Sequence, residues 1–246
     1  MVTIFFLTLA QASGARAGPV LLGRLASAMV ELDRWAPRHS DDLAEAARDR
    51  TRPQVAVEGL PLRLSIPTSV AASGDPEAIR DAIMSAAGQS LWRDGRAAFV
   101  DDEGVVAGDI SITSPVRWTI TTLKQDRNDF WLVATAAAGV ASLAIGLLTL
   151  FAAPGGFAVV ARGALGAGVL CVLAFGAIWA LMQALAGAAM APADIELARI
   201  GRDWAWMGLR AGFATGLVGL AGQVAVWTAQ RERRYERWPR AADEPA

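Results

Sequence analysis

The chain has 246 residues, of which 54% are hydrophobic, and a formal net charge of -1 at pH 7. This content is too apolar for an ordinary soluble domain, and dispersed basic residues with near-neutral charge argue against a nucleic-acid partner. A lone cysteine, Cys171, excludes an intrachain disulfide. Charged residues are frequent from 31 to 129 and scarce from 130 to 230. We therefore predict a domain over residues 21–128 and a membrane region over residues 129–230.

The N-terminus begins with an apolar segment, VTIFFLTLA, at residues 2–10. Small residues around Arg16 follow it, which is typical of a cleaved signal peptide, although the usual basic start is missing. An uncleaved anchor is the alternative, either interrupted and extended towards Ala28 or the remnant of a longer anchor that starts upstream. It would add a fourth span. An amphipathic helix is the third possibility. The prediction for residues 1–20 is a signal peptide or N-terminal anchor.

The segment 21–128 shows the patterns of a small α+β domain. A helical pattern from 21 to 50 is expected to break near Pro37, with a second helix after Ser40. Apolar residues then alternate along 55–66, and their phase changes at Glu58-Gly59. This change predicts two strands, or one strand with a glycine bulge.

The second half of the domain begins with a strong helix signal. Asp75-Pro76-Glu77 combines a capping residue, a first-turn proline and an acid at the helix start, and Gly95 is expected to end this helix. Residues 97–100 and 105–112 read as a hairpin. A last helix is expected to start at Ser114 and to run without a break into the first span.

Three hydrophobic helices are predicted after the domain, over residues 130–153, 163–191 and 204–230. Each is long enough to cross a hydrocarbon core of about 30 Å. We expect Pro154 to end the first span and Pro192 to end the second. The fold class is therefore an α-helical transmembrane bundle that carries a small α+β domain.

The orientation follows from the arginines in the tail, residues 231–246. Five of them, Arg231, Arg233, Arg234, Arg237 and Arg240, fall within ten residues after the last span. The positive-inside rule places this tail in the cytoplasm. Three crossings then place the loop over 192–203 and the domain outside, so the sequence predicts a multi-pass protein of the cell membrane with an extracytoplasmic domain.

Four acidic residues are the weak candidates for a metal site, namely Asp101, Asp102, Glu103 and Asp109. Carboxylates outside the cell suit a hard cation such as calcium, but the spacing does not match an EF-hand, and a solvated hairpin turn is sufficient to explain them. His39 has no ligand partner at metal-binding spacing. No catalytic or phosphate-binding motif occurs, and no cofactor is predicted.

Two polar residues fall inside the predicted spans, Arg210 and Gln183. A charge at this depth is costly in lipid, so Arg210 is expected to hydrogen-bond Gln183 across the bundle, to reach up to the outer headgroups, or to line a path for a substrate.

Three glycines, Gly208, Gly212 and Gly216, recur every fourth residue in the third span. This spacing allows close helix packing. It favours contact with the other spans, and the alternative is a homo-oligomer or partner seam.

The leading functional hypothesis is a binding or scaffold component of a membrane or envelope assembly, with the lipid bilayer and other membrane or envelope proteins as partners. The alternative is a transporter or channel subunit that uses Arg210 and Gln183. A third is an extracytoplasmic hydrolase that uses carboxylates. The hypotheses differ in which residues must meet in the fold.

Overall fold

The computed structural model describes residues 1–48, 52–99, 114–188 and 191–236. It is mostly helical, with one two-stranded sheet. In chain order the elements are α1 (Val2–Ser13), α2 (Ala17–Met29), α3 (Leu32–Ala46), β1 (Gln54–Val57), β2 (Leu64–Pro67), α4 (Thr68–Ala71), α5 (Pro76–Asp94), a 3-10 turn (Gly95–Ala98), α6 (Ser114–Leu123), α7 (Gln125–Ala152), α8 (Gly156–Ala188) and α9 (Pro192–Glu236).

Three of these helices, α7, α8 and α9, are long and apolar enough to cross a membrane. Helices α8 and α9 form an antiparallel hairpin along most of their length, whereas α7 packs mainly on α1. Helix α1 has 12 residues, and at 1.5 Å per residue it covers about 18 Å, less than a hydrocarbon core. It lies between α7 and the hairpin, where Ile4 packs beside Phe175 and Leu209.

The helices extend beyond the second and third predicted spans, 163–191 and 204–230, at their N-terminal ends. Helix α8 begins at Gly156, so Arg162 lies within it rather than before it. Pro192 does not end a span but is the first residue of α9, and residues 192–203 are helical rather than a loop. Proline fits this place because a first-turn residue has no intrahelical partner for its N–H.

The core of the domain lies between α2, α5 and the sheet. Helices α2 and α5 cross at Gly23 and Gly88, where a side-chain carbon would collide with the backbone of Met84 and Pro19. Only glycine permits this approach. The large side chains buried around the crossing are Leu22, Leu25, Ile66, Ile79, Ile83 and Leu91.

The two strands confirm the first of the two alternatives for residues 55–66. Strands β1 and β2 pair antiparallel, with Val55 opposite Ile66 and Val57 opposite Leu64. All four side chains are buried. Because odd-numbered residues of β1 pair with even-numbered residues of β2, the buried side chains are odd-numbered in one strand and even-numbered in the other. This explains the change in the apolar pattern along the sequence.

The helix break near Pro37 was predicted at the wrong residue. The chain breaks at Glu31, which has a left-handed φ of 47°, and α3 then runs through Pro37. Ser40 does not begin a helix but is buried inside α3.

The start of α5 is as predicted, since Pro76 is its first residue and the Asp75 side chain accepts a hydrogen bond from the Glu77 N–H at 3.0 Å. Gly95 ends this helix with a φ of 59°. The strand expected from residue 97 is wrong at its start, because Gly95–Ala98 is a 3-10 turn. The rest of that hairpin lies outside the described residues. Helix α6 does not continue into α7, because Lys124 is extended between them.

Candidate functional site at the junction of domain and long helices

The first part of α9 belongs to the core of the domain. Ile200 is buried in the same cluster as the α2 and α5 side chains, and Leu197 and Trp204 pack against it. Further along, Ala205 and Leu209 join a second cluster with Cys171 and Phe175 of α8. One uninterrupted helix thus connects the domain core to the hairpin.

An ion-pair group fixes this junction. Arg24 of α2 places one guanidinium nitrogen 2.6 Å from Glu196 and the other 3.1 Å from Asp203, both on α9. Arg199 donates a hydrogen bond to the second oxygen of Glu196 at 3.4 Å. The 2.6 Å contact is an ion pair rather than an aligned hydrogen bond, because that oxygen has no hydrogen-bond partner among the described residues. A cleft of about 370 Å³ lies beside the group, with Arg24, Glu196 and Arg199 in its walls.

An apolar cavity of about 700 Å³ lies at the same junction, and we call it the junction cavity. Helices α1, α2, α6, α8 and α9 all contribute to its walls. Its larger lining side chains are Trp118, Leu123, Met182, Leu185, Leu197 and Trp204. This volume falls within the range of small-molecule binding sites, which are likewise mostly apolar with few polar groups. No local pattern in the sequence predicts this cavity, because its walls come from five separate helices.

The polar groups of the junction cavity are few. Thr119 lines it, but its hydroxyl already donates to the Pro115 carbonyl at 3.0 Å. Asp194 lies at the wall contributed by α9. The Trp204 indole N–H is buried and has no acceptor among the residues that the structure describes. Trp118 is 65% exposed, unlike the side chains on the buried face of α6.

Arg210 and Gln183 are not brought together. Gln183 accepts a hydrogen bond from Arg202 at 3.2 Å. Phe175 packs opposite Gly208, and this pair sets the register of α8 against the antiparallel α9. In that register Arg210 lies about 15 Å from Gln183, measured along the helix axes. Its side chain is exposed, with the guanidinium 5.2 Å from the centre of the Trp206 ring, one turn nearer the domain. The expected hydrogen bond is therefore wrong, and the position fits the alternative in which the side chain reaches towards the end of the helix.

The three glycines of the third span lie against α8. A side-chain carbon at Gly208 would collide with the Phe175 ring, and one at Gly212 would lie 2.9 Å from Cys171. Gly216 faces Gly168 with more room, its nearest atom being 3.8 Å away. The glycines thus face an intramolecular seam.

The acidic candidates Asp101, Asp102, Glu103 and Asp109 lie outside the described residues. Within the described ranges, no group of three or more His, Cys, Asp or Glu side chains could hold a metal ion. His39 stacks on Trp35, with ring centres 4.3 Å apart. A hydrogen bond to Asp81 raises the pKa of Arg80 on the domain surface, which leaves that side chain charged at any physiological pH.

No family model, curated protein or solved structure matches this chain. Its class therefore rests on the structure alone. It is a mostly helical protein with three helices long and apolar enough to cross a membrane, and a domain with a two-stranded sheet packed at one end of them.

Proposed function

We propose that the chain is an integral membrane protein whose three long helices span the bilayer and hold the domain at the outer surface as a binding or scaffold component of a membrane or envelope assembly. The observation that carries this proposal is the continuity of α9. The helix is 45 residues long, and its first turns pack in the domain core. A domain packed on α9 in this way presents its surface in a fixed relation to that helix.

The surfaces of the long helices support a bilayer environment. Large apolar side chains are exposed along all three, for example Leu148 on α7, Leu173 on α8 and Val218 on α9. No side chain of α7 is fully buried within the protein. Apolar surface of this extent is unfavourable in water and is solvated by lipid.

The arginines support the proposed orientation. Arg231 and the arginines after it follow the apolar part of α9, and Arg162 lies near the same end of the hairpin. The opposite end carries charges of both signs, Asp194, Arg199 and Asp203 among them. By the positive-inside rule the arginine end is cytoplasmic.

The competing functions have less support. The transporter hypothesis requires Arg210 and Gln183 to share a path, and the register of the hairpin separates them. The hydrolase hypothesis requires paired carboxylates in a pocket, and its candidate residues lie outside the described part of the chain. A binding role needs only the fixed domain and its surface.

Cysteine accessibility in intact cells tests the topology. In a Cys171→Ala background, single cysteines replace Ala72, which is exposed on the domain, and Ala242 in the tail. An impermeant maleimide should label Ala72→Cys in intact cells and Ala242→Cys only after the membrane is opened. Reversed labelling would overturn the orientation, and equal labelling of both in intact cells would argue against a spanning protein.

Photo-cross-linking tests the scaffold role. A photoreactive amino acid at exposed Glu77 on α5 should give discrete adducts with envelope proteins in living cells. The control position is Phe151, which is 83% exposed near the end of α7 and should meet lipid. Absence of protein adducts from Glu77 and from a set of further domain positions would contradict a scaffold.

A further inference from the structure

We propose that the junction cavity holds an acyl chain of a bilayer phospholipid. The inference rests on the proposed membrane function and goes further by naming the ligand. A cavity of about 700 Å³ with almost wholly apolar walls binds hydrocarbon rather than a polar solute.

The position of the junction cavity favours lipid over other apolar ligands. Leu185 lines the cavity and lies on α8, the same helix that carries exposed Leu181 and Leu173. In a bilayer that surrounds α8, the lipid chains next to these leucines lie beside the cavity wall. The charged residues of α9 at the same level, Arg199 and Arg202, suit the headgroup region.

Two tryptophans fit this assignment. Trp118 is exposed at the cavity on α6, and tryptophan is the residue that the membrane interface favours. Trp204 also lines the cavity, and its ring adds apolar surface to the wall. The cavity therefore combines apolar walls with an interfacial aromatic side chain.

A photoreactive lipid tests the proposal in the full chain. The protein is reconstituted into phosphatidylcholine vesicles that contain a phosphatidylcholine with a diazirine on one acyl chain, then irradiated and digested with trypsin. Cleavage after Arg117 and Lys124 releases residues 118–124, which carry four cavity-lining side chains but belong to none of the long helices. Residues 81–93 of α5 give the background, and residues 128–162, which cover most of α7 and include no cavity-lining side chain, report general lipid contact.

We expect lipid adducts on residues 118–124 well above the background of residues 81–93. Ala188→Trp, which places a large ring in the cavity wall, should reduce these adducts to background. Ala180→Trp is the matched control, because Ala180 is exposed on the opposite side of α8 from Ile178 and does not line the cavity. It should leave the adducts unchanged.

Background labelling of residues 118–124 in the unaltered protein would overturn the proposal. Equal adducts in both tryptophan variants would overturn it too. If Ala188→Trp also lowers labelling of residues 128–162, the fold has been damaged, and Leu185→Asn is tested in its place. Leu185→Asn should lower labelling of residues 118–124 and leave residues 128–162 unchanged, and unchanged labelling of both would overturn the proposal. No labelling of residues 128–162 in the unaltered protein would instead mean that the proposed membrane function fails.

Discussion

Arg24 and Glu196 lie 172 positions apart in the sequence, yet a guanidinium nitrogen of one contacts a carboxylate oxygen of the other at 2.6 Å. The Glu196 side chain is only 10% exposed. A carboxylate this buried is tolerated because Arg24 and Arg199 both neutralise it. The pair therefore connects the domain to α9 by charge as well as by packing.

Replacing Arg24 with Met should destabilise the protein. It leaves Glu196 with Arg199 as its neighbour at 3.4 Å, and we expect a loss of about 2 kcal/mol because a buried charge loses its main partner. Thermal unfolding of the full chain in one detergent, followed by tryptophan fluorescence, measures the loss. The double variant with Glu196→Met should recover most of it, since an apolar pair removes the buried charge.

The control for this pair is Arg34→Met. Arg34 pairs with Glu31 on the surface, with side chains 74% and 47% exposed, and its loss should change stability by less than about 0.5 kcal/mol. Equal effects of the two single variants would show that Arg24 is only a surface partner.

Gly219→Ala should destabilise the α8–α9 hairpin. A side-chain carbon there would collide with the backbone of Leu165, and backbone cannot rotate away as a side chain can. We expect a loss of about 1–3 kcal/mol from overpacking. Gly216→Ala is the control, because its nearest atom lies at 3.8 Å, and it should be neutral or slightly stabilising. Thermal unfolding in detergent compares the two, and the reverse order would contradict the seam.

Arg210→Ala should leave the fold intact. The side chain is exposed and its described contact is with the Trp206 ring, which contributes about 0.5–1 kcal/mol at an exposed site. Trp206→Ala should lose a similar amount, and a double-mutant cycle measures the coupling between them. A large loss of stability or of membrane abundance in Arg210→Ala alone would show that this arginine has a partner inside the protein.

Asp75→Ala should weaken the start of α5. The Asp75 carboxylate accepts the Glu77 N–H, and removal of such a cap costs about 1 kcal/mol. For a chain of this size that lowers the melting temperature by about 2–4 °C. Asp75→Asn keeps an accepting oxygen and should be close to neutral. If both variants lose the same amount, the charge rather than the cap stabilises the helix.

The sequence predicted what local pattern and composition control. The three apolar helices, the capped start of α5 and the two strands were readable because each depends on residues close in the chain. Pro192 and Pro37 misled the prediction, because proline does not always mark a helix end. Pro192 lies in the first turn of α9, where a missing N–H costs no intrahelical hydrogen bond, and α3 continues through Pro37 although proline lacks the N–H for one such bond.

The error at Pro192 also caused the error at Arg210. With a loop over 192–203, counting from the helix ends places Arg210 level with Gln183. With a continuous α9, Gln183 is level with Arg202 instead. The ion pair at Arg24 and the junction cavity were not predictable for a different reason, since both depend on how the domain packs against the hairpin, and no local pattern encodes that contact.

The continuity of α9 has a mechanical consequence. At 1.5 Å per residue its 45 residues make a rod about 68 Å long, more than twice the thickness of a hydrocarbon core. A stiff rod held in the domain at one end cannot tilt there without moving its other end in the opposite direction. Rocking the domain by a few degrees would therefore shift the arginine-rich end of the helix by several ångströms, so α9 would transmit motion from one of its ends to the other.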